Sequence, residues 1–154
     1  MDHIQLHRRL AADLSTAMIY SLLRLRVEVF VVEQGCPYQD LDGHDLDQTT
    51  RHYWLAPYGA MENAQATLRL LEPTEGQFRI GRVCAAQPVR GQGGVRRLLE
   101  AALAEVGDAP CILDAQTDSI GLYTDFGFVV DGAEFTEDNI VHVPMRRERS
   151  ARVR

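Results

Sequence analysis

Long hydrophobic runs are absent from this sequence of 154 residues. No apolar stretch approaches the roughly 20 residues of a membrane-spanning helix, and residues 1–10 lack the apolar core of a signal peptide. The three cysteines, Cys36, Cys84 and Cys111, are odd in number and widely spaced, which predicts neither a disulfide framework nor a zinc site. We therefore expect a protein of the reducing cytoplasm, with no membrane partner and no metal.

An excess of positive charge is lacking as well. The formal net charge is −6, which disfavours general nucleic-acid binding. The basic stretch 146–154 is short, and we interpret it as a terminal tail. The sequence contains no internal repeat, low-complexity segment or linker. With ordinary hydrophobic and charged fractions of 45% and 25%, it predicts one domain over residues 1–154.

The most informative stretch runs from Phe78 to Val106 and has the pattern of a strand, a glycine-rich loop and a helix. An apolar run over 80–86 comes first, and Arg90-Gly91-Gln92-Gly93-Gly94 follows a proline turn. The next apolar residues recur at intervals of three and one, which predicts one stripe of an amphipathic helix. The stripe consists of Val95, Leu98, Leu99, Ala102, Leu103 and Val106.

A strand, a glycine loop and a helix in this order form a device that can hold an anion. The first N–H groups of a helix have no intrahelical partner, and the helix dipole places partial positive charge there. Glycines let a phosphate approach the backbone closely, and Arg90, Arg96 and Arg97 add charge. The stretch predicts a phosphate-bearing cofactor, although a plain tight turn with solvated arginines also fits. It lacks the Lys-Ser/Thr ending of a P-loop and contains no GxGxxG dinucleotide fingerprint.

A second conspicuous stretch is acidic. Its four aspartates lie within eight residues: Asp40, Asp42, Asp45 and Asp47. Their alternation resembles a calcium loop, but the twelfth position is Arg51 where that loop needs Glu. Two interpretations stay open, a solvated acidic loop and an acidic rim that attracts a cationic amine.

The remaining patterns predict an α/β fold with a mixed sheet. The expected elements are a short strand over 3–8, a helix from Asp13 or Ser15 to about Val32, strands over 51–58 and 65–72, a central strand over 77–86 with a bulge at Gly81-Arg82, a strand over 111–116, a brief helix from Asp118 or Ser119 to Gly127, and closing strands over 128–131 and 141–147. Strand, helix and strand after residue 78 imply a parallel pair, with antiparallel strands before it.

Residues 83–99 resemble the coenzyme A loop of the GNAT N-acetyltransferase superfamily, whose pattern is Gln/Arg-x-x-Gly-x-Gly/Ala. Arg90 and Gly93 match it, whereas Val95 stands where Gly or Ala is expected. The stretch Tyr123-Thr124-Asp125-Phe126-Gly127-Phe128 resembles the second motif of the superfamily.

Within the superfamily, the chain is similar to the ElaA-like family over almost its whole length. The matching stretches are Leu25-Arg26, Val29-Phe30-Val31-Val32-Glu33-Gln34, Cys36-Pro37-Tyr38-Gln39, Leu41-Asp42-Gly43, Arg51-His52 and Glu137-Asp138-x-Ile140-x-His142. Asp118 departs from the pattern, because His is expected at that position.

The resemblance implies a GNAT-like fold, with a mostly antiparallel central sheet flanked by helices and a splayed parallel strand pair that holds the cofactor. It implies acetyl-CoA as co-substrate and a small-molecule or peptide amine as acceptor, with direct attack in a ternary complex. By this resemblance the pantetheine and pyrophosphate contacts fall on Val83, Cys84, Ala85, Arg90, Gly91, Gln92, Gly93, Gly94, Val95 and Arg96.

The resemblance also implies that Tyr123 is the acid that protonates the leaving thiolate. A phenol near pKa 10 can protonate a thiolate whose acid lies near 8.5, although a half-buried structural tyrosine is the competing interpretation. Candidates for the general base, acting directly or through water, are Glu33, His52 and His142, and a backbone N–H near Ala85 would stabilise the oxyanion. Two further hypotheses are a non-catalytic acyl-CoA-binding module and a purely structural protein.

Overall fold

A mixed sheet of eight strands runs through the computed structural model, which describes residues 3–148. The strands are β1 (Ile4–Leu10), β2 (Arg51–Pro57), β3 (Ala66–Thr74), β4 (Gln77–Ala85), β5 (Cys111–Gln116), β6 (Val129–Val130), β7 (Phe135–Glu137) and β8 (Ile140–Arg147). The order in the sheet is β1-β2-β3-β4-β5-β8-β6, and β7 also pairs with β8. The β4–β5 pair is parallel and the other described pairs are antiparallel, which confirms the predicted fold class.

Three α-helices pack on this sheet. They are α1 (Thr16–Arg26), α2 (Gly94–Val106) and α3 (Ile120–Asp125). Ser15 caps α1 by accepting a hydrogen bond of 3.1 Å from the Met18 N–H, one of the two caps that the sequence offered. Helix α2 contains the predicted stripe, and Gly107 follows its last residue.

The chain continues beyond α1 as a wider, π-type helix over Val27–Glu33. Its last described bond runs from the Gln34 N–H to the Val29 carbonyl at 3.2 Å, an i to i+5 spacing. The segment is rich in β-branched valines, which have weak helix propensity. We refer to residues 27–39, the π-helical turns and the extended stretch that follows, as the helical wall, because they line one side of the candidate site described below.

Both faces of the sheet are covered, and β2 shows how the sequence achieves this. Tyr53 and Leu55 face the cluster that contains α2, whereas Trp54 and Ala56 face the cluster that contains α1. All four are buried, because successive strand residues point to opposite faces and both faces carry a helix.

The two parallel strands separate almost at once. Strand β4 pairs with β5 only at Phe78 with Cys111 and at Arg79 with Ile112, although both strands continue for several more residues. The expected bulge is present: the β3–β4 register shifts between Gly81 and Cys84, and Arg82 has a φ of 52°. The predicted splay of the pair is confirmed.

Some predictions differ from the structure in extent. Strand β6 is only two residues long, and β7 was not predicted. Residues 149–154, most of the predicted basic tail, lie outside the described part of the chain, and the single domain over 1–154 stays a prediction. No helix within residues 3–148 is long and apolar enough to cross a membrane.

Candidate active site

A cleft of about 1020 Å³ opens where β4 and β5 separate. The end of β4 lines it with Val83, Cys84 and Ala85, and residues of the helical wall also line it. Tyr123 from α3 and His142 from β8 also line it. The cleft therefore brings together the strand, the helical wall and the candidate acid that the sequence placed far apart.

The end of β4 presents backbone groups to this cleft that no neighbouring strand pairs. The Ala86 N–H bonds to the Gln65 carbonyl beside β3 at 2.8 Å. Since alternate residues of a strand direct their N–H and C=O groups to opposite edges, those of Ala85 point away from β3, toward the gap. Val83 lies two residues earlier on the same edge, so an extended ligand with amide groups has partners in Val83 and in the Ala85 N–H. The Ala85 carbonyl accepts from Arg90 Nε at 2.9 Å.

The thiol of Cys84 is on the other face of the sheet, among the side chains packed against α1. Burial raises its pKa to about 12. A thiol with this pKa is protonated at neutral pH and is a poor nucleophile. Cys84 therefore contributes its backbone to the cleft and does not fit the role of a covalent acyl carrier.

The glycine loop forms the turn from β4 into α2. Gly91 and Gly93 have φ values of 76° and 79°, which side-chain-bearing residues rarely adopt. The first helical hydrogen bond runs from the Arg97 N–H to the Gly93 carbonyl at 3.1 Å. The N–H groups of Gly94, Val95 and Arg96 precede it and have no helical acceptor. The loop therefore offers a row of N–H donors to an anion.

Val95, the departure from the coenzyme A loop pattern, is accommodated by the core. Its side chain is partly buried and packs against the cluster that contains Leu98 and Leu99. Its backbone N–H remains in the first turn of α2, where a smaller residue would also place it.

Two of the three arginines near the loop, Arg90 and Arg96, are paired with carboxylates. Arg96 donates to Asp125 at 2.8 Å and lies over the Phe126 ring at 5.9 Å. Arg90 donates to both oxygens of Glu33, with distances of 2.6 and 2.8 Å, and through Nε to the Ala85 carbonyl at 2.9 Å. The two residues that the sequence assigned to phosphate and to proton transfer are thus bonded to each other.

This pairing changes the acid–base properties of Glu33. The hydrogen bond from Arg90 holds the pKa of the Glu33 carboxyl below its usual range. A carboxylate with a lowered pKa accepts a proton less readily, which weakens the case for Glu33 as a general base.

Tyr123 combines a buried ring with an unshared hydroxyl. The residue is 7% exposed and packs edge to face on Phe128 at 6.1 Å. Within residues 3–148 its hydroxyl makes no hydrogen bond to protein. Burial raises the pKa of the phenol to about 12, so the hydroxyl stays protonated at neutral pH.

The two candidate histidines are placed differently. His52 is 1% exposed, lies outside the cleft and donates from Nε2 to the Asp45 carbonyl at 2.9 Å. His142 lines the cleft, stacks on Phe135 at 5.7 Å and uses Nδ1 on the Ile140 carbonyl at 2.9 Å. A carbonyl only accepts, so Nδ1 carries the proton and Nε2 of neutral His142 has a free lone pair.

Two of the four aspartates of the acidic stretch are internal, which corrects the prediction of a solvated loop for Asp40 and Asp45. Asp40 and Asp45 are 4% and 6% exposed and bond to Arg26, while Asp42 bonds to Arg69 and Arg82. Burial opposes ionisation of Asp42, yet its bonds to Arg69 and neighbouring arginines hold its pKa far below the usual range. Asp42 and Asp47 remain exposed and line the cleft, so an acidic rim that attracts a cationic amine stays a prediction. Within residues 3–148 no group of three acidic, His or Cys side chains is placed to hold a metal ion.

Several cleft residues were not singled out as site residues in the sequence. Tyr38 donates to Asp40 at 2.7 Å and carries the Arg82 guanidinium over its ring at 5.6 Å. The Cys36 thiol donates to the Asp138 carbonyl in the turn between β7 and β8. The signal for Cys36 and Tyr38 was their presence in a family motif, whereas the role of Arg82 depends on the bulge.

A splayed parallel pair, an exposed strand edge and a donor-rich glycine loop define the fold and site of a coenzyme A-dependent acyltransferase. The chain belongs to the GNAT acetyltransferase family, whose domain model, described as "Acetyltransferase (GNAT) domain", matches residues 47–149. This confirms the resemblance found in the motifs.

Individual relatives extend the match over almost the whole chain. The protein ElaA of Escherichia coli strain K12 is 37% identical over 147 residues, 89% of this chain and 92% of ElaA. The UPF0039 protein Mb2876c of Mycobacterium bovis is 54% identical over 152 residues, 96% of each chain. The crystal structure of an acyl-CoA N-acyltransferase from Pseudomonas aeruginosa has a TM-score of 0.86 and 41% identity, covering 94% of this chain and 99% of that one.

Proposed function

We propose that this protein is an N-acetyltransferase that transfers the acetyl group of acetyl-CoA directly to an amine. Membership of the GNAT family supports acyl transfer from an acyl-CoA. The observation that carries the choice of coenzyme A as the ligand is the early separation of β4 and β5. It leaves an unpaired strand edge that leads directly to the glycine loop, so one extended ligand with a phosphate end can occupy both.

The residues of the chain fit coenzyme A in a simple order. The backbone of Val83 and the N–H of Ala85 would pair with the pantetheine amides, with Cys84 between them. The N–H groups from Gly91 to Arg96 would hold the pyrophosphate, because they face an anion at the positive end of α2. Acetyl-CoA supplies the acetyl group as an activated thioester.

Tyr123 is proposed as the general acid. Its hydroxyl is protonated across the physiological pH range because burial raises its pKa to about 12. It is also free of competing protein hydrogen bonds within the described residues. A positioned acid contributes about 10²–10⁴-fold to a rate, so this hydroxyl is a suitable donor to a departing thiolate.

For the general base we propose His142, directly or through water. His52 lies outside the cleft and Glu33 is held in an ion pair. In neutral His142, by contrast, Nε2 carries no proton and can accept one. The need for a base depends on the acceptor: an amine of pKa about 10.4 is neutral about once in 2,500 molecules at pH 7, and an α-amine of about 7.7–8.0 roughly once in ten. A side-chain amine would therefore depend more strongly on His142.

The first test measures the melting temperature with acetyl-CoA, with ATP and NAD as controls. Ligand at 100 times its dissociation constant stabilises by about 2.7 kcal/mol, which raises the melting temperature by several degrees. A selective shift with acetyl-CoA supports the proposal, and release of free thiol is then measured over a panel of amines.

Two outcomes contradict the proposal. No shift at millimolar acetyl-CoA removes the cofactor assignment. A shift without thiol release on any amine of the panel favours the alternative, a non-catalytic acyl-CoA-binding module. A cytoplasmic location and the lack of membrane and nucleic-acid partners stay predictions.

A further inference from the structure

Arg90 connects three parts of the candidate site through a single guanidinium group. Its Nη1 and Nη2 atoms donate to the two oxygens of Glu33 at 2.6 and 2.8 Å. Its Nε donates to the Ala85 carbonyl at 2.9 Å. Glu33 ends the π-helical turns, Ala85 ends β4, and Arg90 begins the glycine loop. The contact therefore joins the helical wall to the strand edge and to the loop.

The geometry of this contact fixes orientation as well as distance. Two parallel N–H···O bonds align the plane of the Arg90 guanidinium with the plane of the Glu33 carboxylate. A single bond or a lysine cannot fix this orientation. The π-helical turns need such a restraint, because Val27, Val29 and Val31 are weak helix formers and the segment ends in a loop. Without Arg90, the last turn next to the cleft would lose its bond to the body of the sheet.

The same contact neutralises the charge that Arg90 would otherwise offer to a phosphate. Glu33 neutralises Arg90, so an anion near the loop meets an ion pair and a row of backbone N–H groups. Opening the pair to free Arg90 would also leave Glu33 without its partner beside an incoming anion, which is unfavourable.

We propose that Glu33 and Arg90 act as a brace that positions the helical wall against the cofactor loop, and that Arg90 is not a phosphate ligand. The effect of the brace on turnover rests on the proposed function. It makes Glu33 a positioning residue and assigns phosphate binding to the backbone of residues 91–96. Because residues of the helical wall line the cleft outside the proposed cofactor contacts, the brace acts mainly on the acceptor amine.

The test uses the variants Glu33→Gln, Arg90→Gln, Arg90→Lys and the double variant Glu33→Gln/Arg90→Gln. The matched control is Glu28→Gln, because the Glu28 side chain does not line the cleft. The change breaks an exposed salt bridge of 3.2 Å to Arg24 in α1. For each protein, the KM of the amine, kcat with its pH profile and the Kd of CoA are measured.

The brace predicts effects of the same sign for both partners. Glu33→Gln and Arg90→Gln each raise the amine KM about tenfold. The double variant has an amine KM no higher than that of the more impaired single variant. In all three variants the Kd of CoA changes by less than about threefold. Arg90→Lys behaves like Arg90→Gln because lysine, although charged, cannot make the two parallel hydrogen bonds of the guanidinium. Glu28→Gln stays within about twofold of the parent protein.

Other roles give opposite patterns and would overturn the brace. If Arg90 were a phosphate ligand, Arg90→Gln would weaken CoA binding more than about tenfold, Glu33→Gln would tighten it, and Arg90→Lys would resemble the parent. If Glu33 were the general base, Glu33→Gln would abolish turnover and with it the decrease of kcat at low pH. Arg90→Gln would then retain both the turnover and this pH dependence.

The brace can also be tested if no amine is turned over. A double-mutant cycle on Glu33 and Arg90 by urea unfolding, with Glu28→Gln combined with Arg90→Gln as the control cycle, measures their coupling without any substrate. Coupling in the first cycle and additivity in the control support the brace even if the acetyltransferase proposal fails. Additivity in both cycles removes the brace whatever the activity.

Discussion

Arg26 and Asp45 form a buried ion pair between α1 and the acidic stretch, with Nη1 and Oδ1 2.5 Å apart. Arg26 is 1% exposed and also bonds to Asp40 through Nε at 3.0 Å. The stretch after the helical wall is thereby fastened to the helix that precedes it. Asp40 and Asp45, which looked like surface residues in the sequence, belong to a buried structural network.

Replacing Arg26 with Met should destabilise the protein strongly. The change leaves the carboxylates of Asp40 and Asp45 buried without this partner, and breaking a buried pair costs about 3–5 kcal/mol. Urea unfolding measures the difference. Arg24→Met is the matched control, because its pair with Glu28 is exposed and should cost less than about 1 kcal/mol. Equal losses for the two variants would contradict a structural role of the network.

Replacing Tyr123 with Phe should lower kcat about 100-fold and leave CoA affinity and stability nearly unchanged. The hydroxyl has no protein partner to lose within the described residues, and the ring contact with Phe128 is retained. The exposed Tyr20 provides the control, Tyr20→Phe. Unchanged turnover in Tyr123→Phe would remove this residue from the mechanism.

The pH dependence of kcat gives a separate test of Tyr123. A phenol of pKa about 12 keeps its proton, so kcat should not fall between pH 8 and 10. A decrease over this range, absent in Tyr123→Phe, would show that the phenol titrates lower than its burial indicates.

Replacing Gly93 with Ala should weaken CoA binding and lower stability. The φ of 79° at Gly93 is unfavourable for alanine, with a cost of about 1–2 kcal/mol. Relaxation of the loop would move the N–H groups of the first helical turn. Gly121→Ala in α3 is the control, since Gly121 has no positive φ and an added Cβ would meet no atom within 4 Å. It should keep CoA affinity and be neutral or slightly stabilising.

His7 should make stability depend on pH. It is 9% exposed, stacks on Trp54 at 5.3 Å, and its buried Nε2 has no hydrogen-bond partner. Burial, with a smaller effect of Arg9, lowers the pKa of His7. The unfolded chain therefore takes up a proton first as pH falls through about 6.5, and the free energy of unfolding decreases below that pH.

Replacing His7 with Phe should reduce this pH dependence between pH 7.5 and 5.5. Phenylalanine retains the stacking and removes the unpaired nitrogen, so stability at pH 5.5 should rise relative to the parent. Part of the dependence should remain, because burial also lowers the pKa of His52. Urea unfolding at both pH values measures the change, and an unaltered pH dependence would contradict the prediction. The exposed His3 provides a control, His3→Gln.

The sequence predicted the parts of the site whose structure is local. The stripe from Val95 to Val106 and the turn-forming glycines depend on residues close together in the chain. Their patterns can therefore be recognised from the order of residues in the sequence. The bulge at Gly81-Arg82 was visible as an interruption of strand alternation and is present.

Pairings between distant residues were not predictable in the same way. Nothing in the sequence indicates that Arg90 meets Glu33, 57 positions away, or that the aspartates meet Arg26, Arg69 and Arg82. Charge patterns along the chain do not tell which opposite charge the fold brings close. For this reason the sequence assigned Arg90 to phosphate and the acidic stretch to solvent or substrate.

The buried network has a chemical consequence for a protein of this family. Every basic side chain that neutralises Asp40, Asp42 and Asp45 is an arginine, and the chain contains no lysine at all. A guanidinium stays protonated and has no free lone pair to attack a thioester. The ion pairs that fasten the cleft are therefore inert toward acylation, and no side-chain amine of the protein itself competes with the acceptor for the acyl group.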